Sequence, residues 1–175
     1  KRFNLIYTRY ADDITFSSQH NVYQEDSEFI KELHRIIAEQ NFHIKPSKTR
    51  LQKTGYRQEV TGLVVNEKVN VQKRYVKQLR QWLYYWEKLG FETANKNFTL
   101  KYLADKGYVK SGKPNMKNVI EGKLNYLKMV KGEEDLTYIN LKSSFTKLTS
   151  KPRSHNPKAT VEFLRKFKFE DGSGF

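Results

Sequence analysis

FNLIYTRYADDITFSS, residues 3–18, decides the fold, because two strand-like runs in it flank a pair of adjacent aspartates. The first run is aromatic and apolar, and the second alternates apolar with small polar side chains, as β-strands do. Their short separation predicts a hairpin with Asp12 and Asp13 at or beside its turn. Two carboxylates this close repel each other unless a cation neutralises them. Mg²⁺ prefers such oxygen ligands, so the stretch predicts antiparallel strands that carry a magnesium site.

The eleven residues from Tyr7 to Ser17 (YTRYADDITFS) resemble the catalytic hairpin of reverse transcriptases, most closely that of the bacterial group that includes retron enzymes. The resemblance implies two-metal nucleotidyl transfer to a primer 3′-hydroxyl, with Asp12 and Asp13 as catalytic residues and Mg²⁺ ligands. It also implies a partner aspartate on an earlier strand, which this chain does not contain. We therefore expect a piece of a longer protein that is inactive alone. The alternative is a solvated acidic turn without function.

Tyr10 and Ala11 precede the two aspartates, and the resemblance places both beside the primer end and the incoming nucleotide. Tyr10 would stack on the terminal base pair or sugar, and the small Ala11 would leave room for the nucleotide. Ordinary packing within the hairpin explains both residues equally well.

Lys48 lies in Ile44 to Arg50 (IKPSKTR), which resembles the next polymerase motif. A lysine there neutralises the triphosphate or protonates the leaving pyrophosphate. The family often has asparagine at the position of Lys45, so the chain departs from the pattern locally. A solvated surface lysine is the alternative.

Val60, Thr61 and Gly62 resemble the strand pair that grips the primer end, and this triplet is also a mark of retron enzymes. In those enzymes the region is associated with recognition of their own structured RNA. A glycine in a strand permits close backbone approach. The alternative is a buried strand in which Gly62 only relieves packing.

Charge divides the chain unevenly, with a net charge of +14 over the 175 residues. Residues 1–70 carry eleven Lys/Arg and nine Asp/Glu, whereas residues 71–175 carry twenty-two and ten. An excess of this kind indicates an anionic partner, either nucleic acid or an acidic membrane surface. There is no cysteine, which excludes disulfides and thiolate metal sites. The division predicts a catalytic part followed by a part that grips nucleic acid.

Two predicted helices of the second part carry the candidate nucleic-acid contacts. On the first, a basic stripe that includes Lys73, Lys77 and Arg80 lies opposite an apolar stripe and can follow a phosphate backbone. The second resembles the helix that reverse transcriptase thumbs lay against the template–primer duplex. Its candidate contacts are Gly122, Lys123, Asn125 and Lys128. The alternatives are a solubilising face for the basic stripe and helix–helix packing for Gly122.

Periodicity gives the remaining elements. We expect a helix capped by Ser27 and ending near Gln40, and strands at 42–44, 50–52, 59–65 and 69–71. Further helices are predicted at about 73–89, 99–106, 116–131 and 136–149. A loop at 152–157, a short helix at 159–167 and a loose tail at 170–175 would follow.

The fold class is thus predicted as an α/β palm portion with antiparallel strands and a packed helix, at 1–71, and a mainly α-helical thumb at 72–175. The function expected from the resemblance is RNA-directed DNA polymerisation of the retron type. Its expected partners are an RNA template, the RNA–DNA hybrid, deoxynucleoside triphosphates, a cognate structured non-coding RNA and a defence effector protein, with no membrane. A cytoplasmic location in a bacterium is expected. The alternatives are a group II intron-like or other defence-associated reverse transcriptase, and a non-catalytic module that binds RNA or hybrid.

Overall fold

The computed structural model describes residues 2–24, 26–106 and 112–150. The chain divides into two compact units, Lys1–Val69 and Asn70–Phe175. The assignment of palm and thumb to residues 1–71 and 72–175 remains a prediction. The elements predicted beyond residue 151 lie outside the described residues.

The first unit is built on a hairpin and one helix. Strand β1 (Ile6–Tyr10) pairs antiparallel with β2 (Asp13–Ser17). Helix α1 (Glu28–Glu39) begins at Ser27, whose hydroxyl accepts a hydrogen bond from the N–H of Ile30, and it ends at Gln40 as predicted.

An aromatic cluster packs the hairpin against helix α1. The ring of Phe29, which is buried on α1, lies 5.0 Å from that of Phe16 on β2 and 5.5 Å from that of Phe3. Edge-to-face pairs of this kind stabilise beyond the area they bury. Of the strand residues, Phe16 therefore makes the aromatic contact with α1, and it is partly buried.

Three of the predicted strands are wrong. Residues 42–44 and 50–52 form no strand, because their backbone finds no partner strand in the described part of the chain. Between them lies a 3₁₀ turn, Pro46–Lys48. Residues 59–65 form a tight hairpin instead of one strand, with β3 (Glu59–Val60) paired antiparallel with β4 (Leu63–Val64).

The second unit begins with β5 (Asn70–Val71) and is otherwise helical where it is described. Its helices are α2 (Lys73–Leu89), α3 (Phe91–Lys106), α4 (Met116–Lys131) and α5 (Leu136–Ser150). Gly90 alone separates α2 from α3, and its φ of +75° ends α2 in a conformation that glycine adopts without steric cost. The α3 prediction started eight residues late, since only Ala94 and Phe98 mark its buried side before residue 99.

The core of this unit lies among α2, α3, α4 and α5. Leu79, Met116, Leu124 and Leu127 are completely shielded from solvent. Trp86 joins the elements, because its ring lies 4.9 Å from that of Phe91 and 6.0 Å from that of Phe145. The apolar stripe predicted for α2 therefore faces the core, as does the apolar side of α4.

At this level the fold prediction is confirmed: small antiparallel strands with a packed helix precede a mainly helical part. Within the residues that the structure describes, no helix is both long and apolar enough to cross a membrane.

Candidate functional site

The hairpin turn is where the two aspartates lie. Tyr10 faces Asp13 across the strands, so Ala11 and Asp12 form a two-residue turn. Turns that match the strand twist need positive φ at their first central residue, and Ala11 adopts a φ of +50°. This conformation costs a non-glycine residue roughly 1–2 kcal/mol. The Nε atom of Arg9 donates a hydrogen bond of 2.6 Å to the carbonyl oxygen of Ala11, which holds the turn in this form.

Asp12 and Asp13 are both exposed, Asp12 in the turn and Asp13 as the first residue of β2. No ion pair in the described part of the chain occupies either carboxylate. Their hard oxygen donors suit Mg²⁺. The described residues hold no group of three or more potential metal ligands, however, so the pair fits part of a magnesium site and lacks the remaining ligands.

Tyr10 and Asp13 share one face of the hairpin because they are directly opposed in the register. Neighbouring pairs alternate between the two faces, so Phe16, which packs on α1, lies on the other face. Tyr10 is 73% exposed. The structure therefore shows no packing role for the Tyr10 ring among the described residues, and the ring is accessible beside the carboxylate of Asp13.

Lys48 ends the 3₁₀ turn and is exposed. No ion pair or hydrogen bond in the described residues joins its side chain to the hairpin. Its predicted place beside the triphosphate stays a prediction.

The Val60–Gly62 segment forms the turn of the β3–β4 hairpin. Val60 pairs with Leu63, so Thr61 and Gly62 are the two central residues, with φ of +48° and +83°. Positive φ at both positions is the signature of a type I′ turn, which favours Asn-Gly or Asp-Gly. Gly62 is thus explained by its φ, and no described atom lies within 4 Å of a Cβ built on it. Thr61 is a β-branched residue in a conformation that such residues rarely adopt.

The predicted basic stripe is present on α2. Lys73, Lys77 and Arg80 are all exposed, whereas Leu79 and Leu83 of the same helix are buried. Their spacing of four and three residues places the three cations along one line. This arrangement is open to a phosphate backbone.

On α4 the four candidate contacts separate into two pairs. Gly122 and Asn125 are exposed, and no described atom lies within 4 Å of a Cβ built on Gly122. Packing against a described helix therefore does not account for that glycine. Lys123 and Lys128, by contrast, have partners inside the unit.

Lys123 lies against Tyr75 of α2. Its Nζ atom is 4.3 Å from the centroid of the Tyr75 ring, and the Tyr75 hydroxyl donates a hydrogen bond of 2.9 Å to the Lys123 carbonyl oxygen. Burial, and to a lesser degree nearby Tyr126, raises the pKa of Tyr75 to about 12. The phenol therefore stays protonated and keeps donating at neutral pH.

Lys128 pairs with Glu133, with 2.5 Å between Nζ and Oε1. This hydrogen bond and the charge of Glu133 raise the pKa of Lys128. A duplex contact by Lys128 would compete with this ion pair. Among the α4 candidates, Gly122 and Asn125 are the accessible ones.

Several residues that shape the site had not been singled out from the sequence. Gln52 and Asn66 bind the backbone around the β3–β4 hairpin through their side-chain amides. The hydroxyl of Tyr75 joins α2 to α4 by donating to the carbonyl oxygen of Lys123. Amide-to-backbone bonds across seven to ten residues leave no periodic signal in a sequence, so only the structure reveals them.

Comparison with known proteins shows which proteins have a sequence similar to part of this chain. Two curated proteins of Myxococcus xanthus match part of the chain. The Retron Mx65 reverse transcriptase is 34% identical over 84 residues, which cover 48% of this chain and 19% of that protein. The Retron Mx162 reverse transcriptase is 36% identical over 74 residues, which cover 38% of this chain and 15% of that protein. Part of the chain is therefore similar to retron reverse transcriptases. The resemblance predicted from the hairpin motif is thereby confirmed.

The matched stretches span less than a fifth of the length of either retron reverse transcriptase. No protein-family profile matches the chain, and no solved structure matches it. The similarity is therefore one of sequence over part of the chain.

Proposed function

We propose that this chain is the part of a retron-type RNA-directed DNA polymerase that carries the catalytic hairpin and the thumb. The observation that carries the proposal is the similarity to two retron reverse transcriptases in a chain whose hairpin turn exposes adjacent carboxylates. The whole protein would extend a primer on an RNA template with deoxynucleoside triphosphates, and a cognate structured RNA would supply the template.

In this proposal the primer 3′-hydroxyl loses its proton to solvent, its oxygen forms a bond to the α-phosphorus of the incoming nucleotide, and the bond from that phosphorus to pyrophosphate breaks. Asp12 and Asp13 would hold Mg²⁺ together with carboxylates from outside the described residues, and when bound it would supply positive charge to stabilise the attacking and leaving oxygens. Lys48 gives a proton or a positive charge to the pyrophosphate.

The remaining candidates position nucleic acid. Tyr10 contacts the primer end, and Ala11 leaves space beside the nucleotide. Residues 60–62 contact the primer end or the structured RNA. The α2 stripe and the exposed side of α4 contact the backbone of an RNA–DNA hybrid, whose wide minor groove is recognised through shape and backbone contacts.

The test is RNA-templated primer extension by the full-length protein with Mg²⁺, compared with Asp12→Asn. Loss of a metal ligand should reduce extension at least a hundredfold, whereas hybrid binding should persist. Asp26→Asn is the matched control, because Asp26 is also exposed and its ion-pair distance to Lys31 is 3.8 Å. Equal extension by the wild type and Asp12→Asn would contradict the catalytic role.

A non-catalytic module that binds RNA or hybrid is the second candidate. It is favoured by the missing third metal ligand in the described part of the chain. Salt-sensitive hybrid binding by the full-length protein, without extension under any Mg²⁺ concentration, would support this function instead.

A further inference from the structure

The β3–β4 hairpin has too few strand residues for strand pairing alone to fix the conformation of its turn. Each strand contributes two residues, so the pairing between β3 and β4 supplies few backbone hydrogen bonds with which to order the turn. Its turn also contains Thr61 at a φ of +48°. Backbone strain of this kind persists only where the surroundings enforce it.

Gln52 supplies the first enforcing contact. Its Nε2 atom donates to the carbonyl oxygen of Glu59 at 2.8 Å, and its Oε1 atom accepts from the N–H of Glu59 at 2.5 Å. A carboxamide offers the same donor and acceptor as a peptide group. The side chain of Gln52 thus takes the place of a neighbouring strand along the outer edge of β3.

Asn66 supplies the second contact, at the open end of the hairpin. Its Oδ1 atom accepts from the N–H of Gln58 at 3.0 Å, and its Nδ2 atom donates to the carbonyl oxygen of Tyr56 at 2.7 Å. The N–H of Val65 also donates to the carbonyl oxygen of Gln58 at 2.9 Å. The chain entering β3 and the chain leaving β4 are therefore held together.

Thr61 itself lies at the exposed tip of this clamped hairpin. Within the described residues its hydroxyl has no hydrogen-bond partner, so the Thr61 side chain itself does not help to hold the strained backbone. Asparagine would fit the turn better. A strained residue with an accessible hydroxyl indicates a contact to a ligand.

We propose that Gln52 and Asn66 are positioning residues that hold the Thr61–Gly62 turn in the conformation that contacts RNA. The proposal rests on the function proposed above and adds the means by which the turn is preorganised. Neither amide needs to touch the RNA. By holding the turn in one conformation before RNA binds, they reduce the conformational entropy that the turn would otherwise lose on binding.

The experiment uses the full-length protein with Gln52→Leu, which keeps the side-chain size but removes both hydrogen bonds. We expect the KM for the RNA template–primer to rise about tenfold, with kcat changed less than twofold, because the ordering cost then falls on binding. Hydrogen exchange at the amides of Glu59 and Val65 should become faster. Gln40→Leu is the matched control, since Gln40 is exposed and its side chain makes no hydrogen bond to a described residue.

Two further variants keep the test decisive. Gln52→Glu retains an acceptor for the Glu59 N–H but replaces the donor with an ionised oxygen that repels the Glu59 carbonyl oxygen, and it serves if Gln52→Leu does not fold. Thr61→Asn should make the fold more stable and yet weaken RNA binding, which a purely structural role for the turn would not produce.

A loosened turn in Gln52→Leu, with the KM within twofold of the Gln40→Leu control, would overturn the proposal. So would unchanged exchange at Glu59 and Val65. Absence of RNA-templated extension in the wild type would instead refute the proposed function, and the exchange measurement would still report whether the clamp holds the turn.

Discussion

At the residue scale, Asp135 shows how one carboxylate serves both a helix start and an ion pair. Its Oδ1 atom accepts from the N–H of Tyr138 at 3.0 Å, and its Oδ2 atom lies 3.0 Å from Nζ of Lys131. Burial opposes ionisation, but the hydrogen bonds from Lys131 and the backbone outweigh it and lower the pKa of Asp135. The charged form is therefore the one that stabilises the fold.

Asp135→Ala should accordingly destabilise the second unit by about 1–2 kcal/mol at pH 7. Because the folded pKa is lowered, this contribution is complete above the unfolded value of about 3.9 and disappears as the pH falls through the folded value. Urea unfolding at pH 7 and near pH 2 measures the difference. Asp135→Asn, which keeps a capping oxygen, should cost less at pH 7. An equal loss for Asp135→Ala at both pH values would contradict the role of the charge.

At the element scale, α4 has a buried side that fixes the fold and an exposed side that holds Gly122. Because nothing described lies within 4 Å of a Cβ on Gly122, Gly122→Ala should stabilise the helix by about 1 kcal/mol. If this side lies against a duplex, the added methyl group should at the same time weaken hybrid binding several-fold. Thermal unfolding and hybrid titration of the full-length protein measure the two effects.

Ser143→Ala on α5 is the control for this change. Ser143 is exposed on a helix with no proposed nucleic-acid contact, so alanine should stabilise modestly and leave hybrid affinity unaltered. Gly122→Ala that stabilises without any loss of affinity would place the duplex elsewhere.

Sequence patterns predicted best the elements that depend on residues close together in the sequence. The bounds of α4 and the cap at Ser27 came from periodicity and capping chemistry. The strands at 42–44 and 50–52 were wrong because strand formation depends on a distant partner. Residues 59–65 alternate like one strand, yet the positive φ of Thr61 and Gly62 folds them back.

The candidate site was predictable to a similar extent. The motif located the aspartates at the hairpin turn, but it did not reveal the positive φ of Ala11 or the hydrogen bond from Arg9 to its carbonyl oxygen, which shape that turn. Lys123 and Lys128 could not be distinguished from accessible lysines, because their partners Tyr75 and Glu133 are set by helix packing and a loop contact.

At the scale of the whole molecule, the net charge of +14 makes salt dependence the natural measure of RNA contact. Changing Lys73, Lys77 and Arg80 together to glutamine should weaken hybrid binding and flatten the slope of log K against log salt by up to about 3. Fluorescence titration of the full-length protein from low to moderate salt gives both quantities.

A second triple variant separates the α2 stripe from charge in general. Lys96, Lys113 and Lys147 are exposed and lie outside α2, so changing them to glutamine removes the same charge without touching the stripe. This variant should change the slope less. Equal slopes for the two triple variants would show that hybrid binding senses only the total charge.

The link between α2 and α3 has a consequence for how the chain acquires its structure. A single residue joins the two helices, and the Trp86 and Phe91 rings meet across it. Closing so short a connection costs little chain entropy, and contacts between neighbours in sequence form fastest. We therefore expect α2 and α3 to pack together early during synthesis, before α4 and α5 have emerged. The pair then provides the apolar surface against which α4 and α5 pack.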